Sequence, residues 1–252
     1  MLLSHGTLFL WIVILRSHLN FNEEQTRNWL WLALLSPLFG AGALIITPDI
    51  PLLFFWSLSV LCFLKLLENP SWKTALAFGV ALGLGLLSKY MIVLLPLSII
   101  LASIWKLNWW KRVGWNLPFI FLGFTLGAFP FFLWNMQHDW VSIRFQLDHG
   151  LGGVQWKPSW TIEYLLLQVG LVFPPIVYLI IKGFRKSPVW LNALALVPLA
   201  FFFMTSFRGY VEANWPITAY PALLALAVMG GGKRFQIFTR WVWGLLIAVA
   251  FW

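Results

Sequence analysis

Four short polar segments interrupt an otherwise apolar chain, and they hold most of the groups able to do acid–base or anion chemistry. Thr47-Pro48-Asp49-Ile50-Pro51 sets a carboxylate between two prolines that end one helix and open the next. Such an Asp is either a helix N-cap or an acid held at a membrane surface for function, and the two roles are compatible. Ser88-Lys89-Tyr90 sets a cation between two apolar stretches. An ammonium there either snorkels to lipid headgroups or serves as a point-charge partner for a phosphate, and a phosphate carried on a lipid would lie at this depth. The segment 135–160 holds His138, Asp139, Arg144, Asp148 and His149. Trp140, Ile143 and Leu147 recur in it at helical spacing, so part of it reads as an interfacial amphipathic helix, broken by Gly150-Leu151-Gly152-Gly153. Its two His and two Asp match no known metal-ligand spacing. The fourth segment runs from Arg208 to Pro216. Asn214 is placed to cap a helix with Pro216 in its first turn, whereas Glu212 is left to an ion pair with Arg208 or to hydrogen bonds with a substrate.

The elements that must position these groups follow from composition. Of 252 residues, 61% are apolar and only 10% charged, with a mean hydropathy of +0.83. A soluble domain carries about a quarter charged residues to wet its surface, so a soluble enzyme, a disordered chain and a disulfide scaffold are excluded. The chain reads as all-α, a polytopic transmembrane helix bundle. The single Cys62 cannot form an internal disulfide and leaves the redox compartment open.

Ten apolar runs are candidate spans: 2–15, 29–46, 50–67, 74–87, 90–105, 117–134, 164–181, 189–205, 215–229 and 241–252. They are continuous, whereas barrel strands would alternate. The basic residues divide unevenly between alternate loops. Arg16, Arg27, Lys65, Lys73, Lys106, Lys111, Arg112, Lys182, Arg185, Lys186, Lys233, Arg234 and Arg240 fall on one side, and only Lys89, Arg144, Lys157 and Arg208 on the other. Excess Lys and Arg hold loops in the cytoplasm, so the first set is expected inside. Asp49, Asp139, Asp148, Glu163 and Glu212 then lie on or near the outer face, where a site is to be sought. Gly79-x-x-x-Gly83 and Gly123-x-x-x-Gly127 read as close helix packing, and Gly230-Gly231-Gly232 as a cytoplasmic turn. No Walker motif, dinucleotide fingerprint or zinc signature occurs.

Taken in order, Ser36-Pro37-Leu38, Thr47 to Leu52, Gly85 to Tyr90, Trp134 to Ser142 and Glu212 to Pro216 resemble the family 39-like membrane glycosyltransferases. These are related to protein O-mannosyltransferases and to the aminoarabinose transferases of lipid A. The resemblance covers nearly the whole chain. It implies a GT-C type membrane module that takes a sugar from a polyprenyl-phosphate carrier and passes it to a lipid, glycan or protein acceptor on the outer face. Membrane lipids are the surrounding partner, nucleic acid is not one, and the expected location is the bacterial inner membrane. By the family pattern Asp49 matches the second acidic residue of the site and is the candidate catalytic residue, orienting the acceptor or assisting a base rather than acting as the base. Lys89 matches the basic residue facing the carrier phosphate. Tyr90, His138, Arg144, Glu212 and Asn214 are the further candidate substrate-binding residues. No cofactor is implied with certainty, and a divalent cation stays open.

The resemblance also implies a further first helix and an outer loop bearing an Asp-Glu pair, which supplies the catalytic base. No Asp-Glu pair occurs in these 252 residues. Residues 1–252 are therefore expected to form a single transmembrane domain without that helix and loop, binding a carrier sugar weakly and transferring it poorly. A transporter or flippase-like protein would place Asp49, Lys89 and Glu212 along a pathway; the chain shows neither the charges within spans nor the internal repeats of that class. A non-catalytic membrane subunit is the other alternative.

Overall fold

The computed structural model describes the chain except residues 41, 43–46, 106–107, 152–155 and 251–252, with only the backbone described at 148–151 and 250. Among the described residues every regular element is a helix. In chain order these are α1 (Leu2–His18), α2 (Glu23–Leu35), α3 (Asp49–Glu68), α4 (Trp72–Ser88), a 3-10 turn Tyr90–Val93 leading into α5 (Leu94–Ser103), then α6 (Asn108–Val113), α7 (Leu117–Gly127), α8 (Phe129–Gln137) and α9 (Val141–Leu151). They continue as α10 (Pro158–Val172), α11 (Pro174–Phe184), α12 (Val189–Thr205), a 3-10 turn Trp215–Ala219 into α13 (Tyr220–Gly230), and α14 (Lys233–Ala250).

By length and composition α3 alone among the described residues is long and apolar enough to cross a membrane. Two bent pairs also qualify, Asn108–Gly127 with Phe129–Gln137 at 59° and α10 with α11 at 87°, and five shorter apolar helices accompany them. Proline sets the sharper bend. Pro174 disfavours helical geometry at the residue before it, and Phe173 sits at φ 74° instead.

Most expected runs match helices or bent helix pairs to within a few residues; α10 and α14 begin six and eight residues ahead of their runs, and the second run departs most. Asn22 accepts the Gln25 N–H while the Gln25 side chain accepts the Asn22 N–H, a capping box that starts α2 six residues ahead of the apolar run. At the other end Pro37 pushes Ser36 to ψ 126°, so α2 stops at Leu35 rather than running on to 46. Residues 41 and 43–46 of that expected run lie outside the described residues. In the segment 135–160, α9 supplies the helix expected around Ile143, and Gly152-Gly153 lie outside the described residues.

Contacts between helices set the directions that matter for the site. Gly6 lies under Phe54, Trp11 Nε1 donates to Ser57 Oγ at 2.9 Å, and His18 meets Glu68 at 3.0 Å, so α1 and α3 run parallel. Phe63 lies against Phe78 while Lys89 returns to Asp49, so α4 runs back along α3. The two glycine pairs interlock. A Cβ on Gly79 would fall 2.1 Å from Ile120 O, one on Gly123 2.3 Å from Leu76 O, and ones on Gly83 and Gly127 each 2.5 Å from a carbonyl of the facing helix. α4 and α7 therefore meet backbone to backbone and run parallel, the close approach that small residues at four-residue spacing permit.

These directions give the bundle two ends. Asp49, Lys89 and Asn214 share one. At the other, Arg16 pairs with Glu23, Arg112 donates to Leu67 O, Lys233 pairs with Glu24, and Arg240 donates to Asn28 Oδ1. These basic residues, grouped together by the sequence, thus collect at the end away from Asp49. Between the two ends lies an aromatic core in which Trp11, Trp29 and Trp56 are fully buried, with Trp11 and Trp29 stacked at 5.9 Å.

Candidate active site

Asp49 opens α3, and Lys89 follows the last residue of α4. A carboxylate in the first turn and a cation beyond the last turn each complement the dipole of their own helix. Because α3 and α4 are antiparallel, the same geometry brings the two side chains together, and Lys89 Nζ donates to Asp49 Oδ1 at 2.7 Å. The other carboxylate oxygen accepts from Asn214 Nδ2, also at 2.7 Å. Asp49 is only 4% exposed, so both oxygens being satisfied is what allows the charge to stay buried. The Lys89 side chain keeps 24% exposure. An ammonium has three N–H donors, and among the described residues Asp49 takes one of them.

The capping roles open from sequence are not the ones adopted. Pro48 occupies the N-cap position of α3, and Asn214 precedes its 3-10 turn without capping it. Both polar side chains turn toward each other instead. Beside Asp49 lies a partly open cavity of about 330 Å³, lined among the described residues by Ser4, Thr7 and Leu8 of α1, Ala33 and Leu34 of α2, Pro37–Gly40, and Asn214 with Ile217. It is an apolar chamber whose polar wall is the Asp49–Asn214 pair. On its α1 side the buried Ser4 hydroxyl lacks a hydrogen-bond partner among the described residues.

The remaining candidates are dispersed around this triad. Tyr90 is half-buried and meets Phe131 of α8 edge-on at 5.7 Å, which ties the turn after Lys89 to α8. Buried Asn135 at the end of α8 accepts from Ser142 Oγ and so holds α9. His138 is exposed, stacks on Trp134 at 4.3 Å and bonds its carbonyl through Nδ1. Arg144 is exposed on α9. Glu212 is exposed, and no ion pair joins it to Arg208 among the described residues. The structure thus brings together Asp49, Lys89 and Asn214, places Tyr90 beside them, and leaves His138, Arg144 and Glu212 on the surface. Asp139 lies in a left-handed turn with Trp140, at φ 50° and 57°. The side chains of Asp148 and His149 lie outside the described residues, and among those described no group of three His, Cys, Asp or Glu is placed to hold a metal.

Sequence reasoning missed Ser4 and Thr7, whose run is apolar over most of its length, and Gln168, buried in α10. A lone amide in an apolar stretch was the available signal for the last.

The helical membrane architecture is shared with the crystal structure of ArnT from Cupriavidus metallidurans bound to undecaprenyl phosphate. The TM-score is 0.74 over 99% of this chain and 48% of that one, at 17% sequence identity. The fold is therefore a GT-C type membrane bundle, and the protein is an integral membrane protein. Residues 3–134 match the dolichyl-phosphate-mannose-protein mannosyltransferase family, and the chain belongs to that family. The lipid A galacturonosyltransferase RgtD of Rhizobium johnstonii is 26% identical over 260 residues, covering 94% of this chain and 51% of the relative. The chain spans about half the length of the proteins it matches.

Proposed function

We propose that this chain carries the carrier-phosphate side of the active site of a membrane glycosyltransferase, which moves a sugar from a polyprenyl-phosphate donor to an acceptor. What carries the reading is the Lys89 ammonium, fixed by a buried carboxylate yet open to one side, with N–H donors left for phosphate oxygens. Undecaprenyl phosphate is the molecule bound to ArnT, and lipid A is the acceptor that the name of RgtD gives. Both transfer to this chain as the ligand and acceptor to test first.

In this reading the acceptor hydroxyl oxygen forms a bond to the anomeric carbon. The bond from that carbon to the phosphate oxygen breaks, and polyprenyl phosphate leaves with the electron pair. Lys89 meets the charge that gathers on the departing phosphate. Asp49 holds Lys89 and orients the acceptor; the base that takes the acceptor proton is not assigned to residues 1–252, which contain no Asp-Glu pair. Tyr90 and Asn214 line the site, and His138, Arg144 and Glu212 are reserve contacts from surface elements that would have to close over bound substrate. The site faces away from the cytoplasm of a bacterial inner membrane, a placement supported by the basic residues collecting at the opposite end.

The test is reconstitution of the chain in lipid nanodiscs with radiolabelled undecaprenyl phosphate. Saturable capture that falls at least about tenfold in Lys89→Ala supports the reading. Capture equal in Lys89→Ala and wild type removes it.

A further inference from the structure

Asn214 reaches Asp49 from a segment with little regular structure of its own. Between α12 and the 3-10 turn at Trp215, the backbone of residues 210–214 is held locally by the Trp215 N–H donating to Glu212 O and the Ile217 N–H donating to Asn214 O, both at 3.1 Å. A further hold comes from across the bundle. Gln168 on α10 donates from Nε2 to Ala213 O at 3.1 Å, and its Oε1 accepts from Tyr220 Oη at 3.0 Å. Gln168 is 8% exposed and Tyr220 1%, so neither has bulk water as an alternative partner. Both ends of the amide are engaged, which fixes its rotation about the last side-chain bond.

The geometry of the peptide bond makes this matter for the site. The carbonyl of Ala213 and the nitrogen of Asn214 belong to one planar unit, so a hydrogen bond that fixes the carbonyl also fixes the plane from which the Asn214 side chain departs. We infer that Gln168, clamped by Tyr220, is a positioning residue that aims Asn214 at Asp49 and thereby sets the Asp49–Lys89 pair for phosphate. The links run in sequence: Tyr220 to Gln168, Gln168 to Ala213, Asn214 to Asp49, Lys89 to Asp49. They join α13, α10, the 210–214 segment, α3 and α4. In residues 165–172 Gln168 is the one polar side chain, so removing it forfeits this link without disturbing another on α10 nearby.

The link to phosphate rests on the proposed function; the aiming of Asn214 does not, and the two are read separately. The full chain is labelled with 15N-asparagine in nanodiscs, and the Asn214 side-chain amide signal is assigned by its loss in Asn214→Ala. In wild type the two amide protons are expected split and slow to exchange, and in Tyr220→Phe, which frees Gln168 Oε1 but keeps the Nε2 donor, the splitting is expected to narrow part of the way toward that of Gln168→Met. In Gln168→Met they are expected to collapse toward the free-amide position. Tyr220→Phe combined with Gln168→Met removes the orphaned hydroxyl and gives the same result in a less burdened fold, should the single variant not fold. An Asn214 signal unchanged in either Met-containing variant overturns the inference. For undecaprenyl phosphate, Gln168→Met is expected to weaken capture about 3–10-fold, the scale of one hydrogen bond, and to add nothing in an Asn214→Ala background. An equal loss in that background shows that Gln168 acts independently of Asn214 and overturns it. If wild type captures no undecaprenyl phosphate, the functional reading fails while the amide signal still decides the positioning role.

Discussion

Asn214 and Asp49 stand 165 residues apart in sequence and are joined by a 2.7 Å hydrogen bond at one end of the bundle. Each sits where a helix begins, yet neither side chain caps it: Pro48 holds the N-cap position of α3, and Asn214 makes no cap bond to its 3-10 turn. The bond closes the polar wall of an apolar cavity and leaves the buried carboxylate with a partner on each oxygen.

Lys89→Ala is expected to destabilise the fold as well as to weaken phosphate capture. It leaves Asp49, 4% exposed, with Asn214 as its remaining partner. Removing one member of a fully buried pair costs about 3–5 kcal/mol, and the 24% exposure of Lys89 brings the expectation down to about 1–3 kcal/mol. Asp49→Asn/Lys89→Ala, which removes both charges, should recover most of the loss in thermal unfolding in detergent. A double variant no more stable than Lys89→Ala would show that the buried charge is not the cause.

The glycine contact between α4 and α7 gives a sharper expectation. Gly83→Ala would put a Cβ 2.5 Å from Phe124 O and 2.6 Å from Ala128 N, backbone atoms that cannot rotate away. The helices must separate, and a loss of about 1–3 kcal/mol is expected. Gly244→Ala on α14 meets nothing within 4 Å and should be neutral or slightly stabilising through helix propensity. Melting curves of the two variants side by side decide this, and equal behaviour would mean that α4 and α7 are not in backbone contact.

At the basic end, Lys233 holds the Glu24 carboxyl below its ordinary value of 4.5, through a hydrogen bond first and charge second. A depressed carboxylate contributes stability that is present above its unfolded pKa and lost as pH falls through its folded one. Both groups are solvent-exposed, so the contribution is small and screened by salt. The difference in unfolding temperature between wild type and Lys233→Gln should therefore exist at pH 7 in low salt, and close as the pH falls through and below 4.5. A gap that widens on acidification would contradict the pairing.

How much of this was legible in the sequence depends on the range of the signal. Asp49 and Lys89 stood out because a charge beside a long apolar run is costly, and their helices begin and end at proline and polar breaks that are local features. The glycine pairs were legible because four-residue spacing puts small residues on one helix face. That Gly79 and Gly83 would face Gly123 and Gly127, however, is a tertiary fact. The start of α2 was misplaced because a capping box, not hydropathy, sets it; Asn22 and Gln25 carry no apolar signal. Gln168 escaped because one amide hardly changes the hydropathy of its run, and its meaning lies in Ala213 and Tyr220, 45 and 52 residues away.

The two ends of the bundle give the last prediction. Glu212 and Glu24 are both exposed, the first two residues before Asn214, the second paired with Lys233 at the basic end. If the excess of Lys and Arg holds that end in the cytoplasm, the Asp49 end faces out. In a Cys62→Ser background, which removes the chain's single thiol, Glu212→Cys should react with a membrane-impermeant maleimide added to intact cells, and Glu24→Cys should react only after the membrane is opened. Both substitutions lie outside the Asp49–Lys89–Asn214 triad, so labelling reads orientation rather than damage to the site. Glu24→Cys labelled in intact cells and Glu212→Cys protected would invert the protein and place the Lys89 ammonium in the cytoplasm. The donor would then have to be presented from the inner leaflet, against the proposed function. Labelling of Glu212→Cys alone fixes the phosphate site on the outer face and makes an outward-facing polyprenyl-phosphate sugar the donor that can reach it.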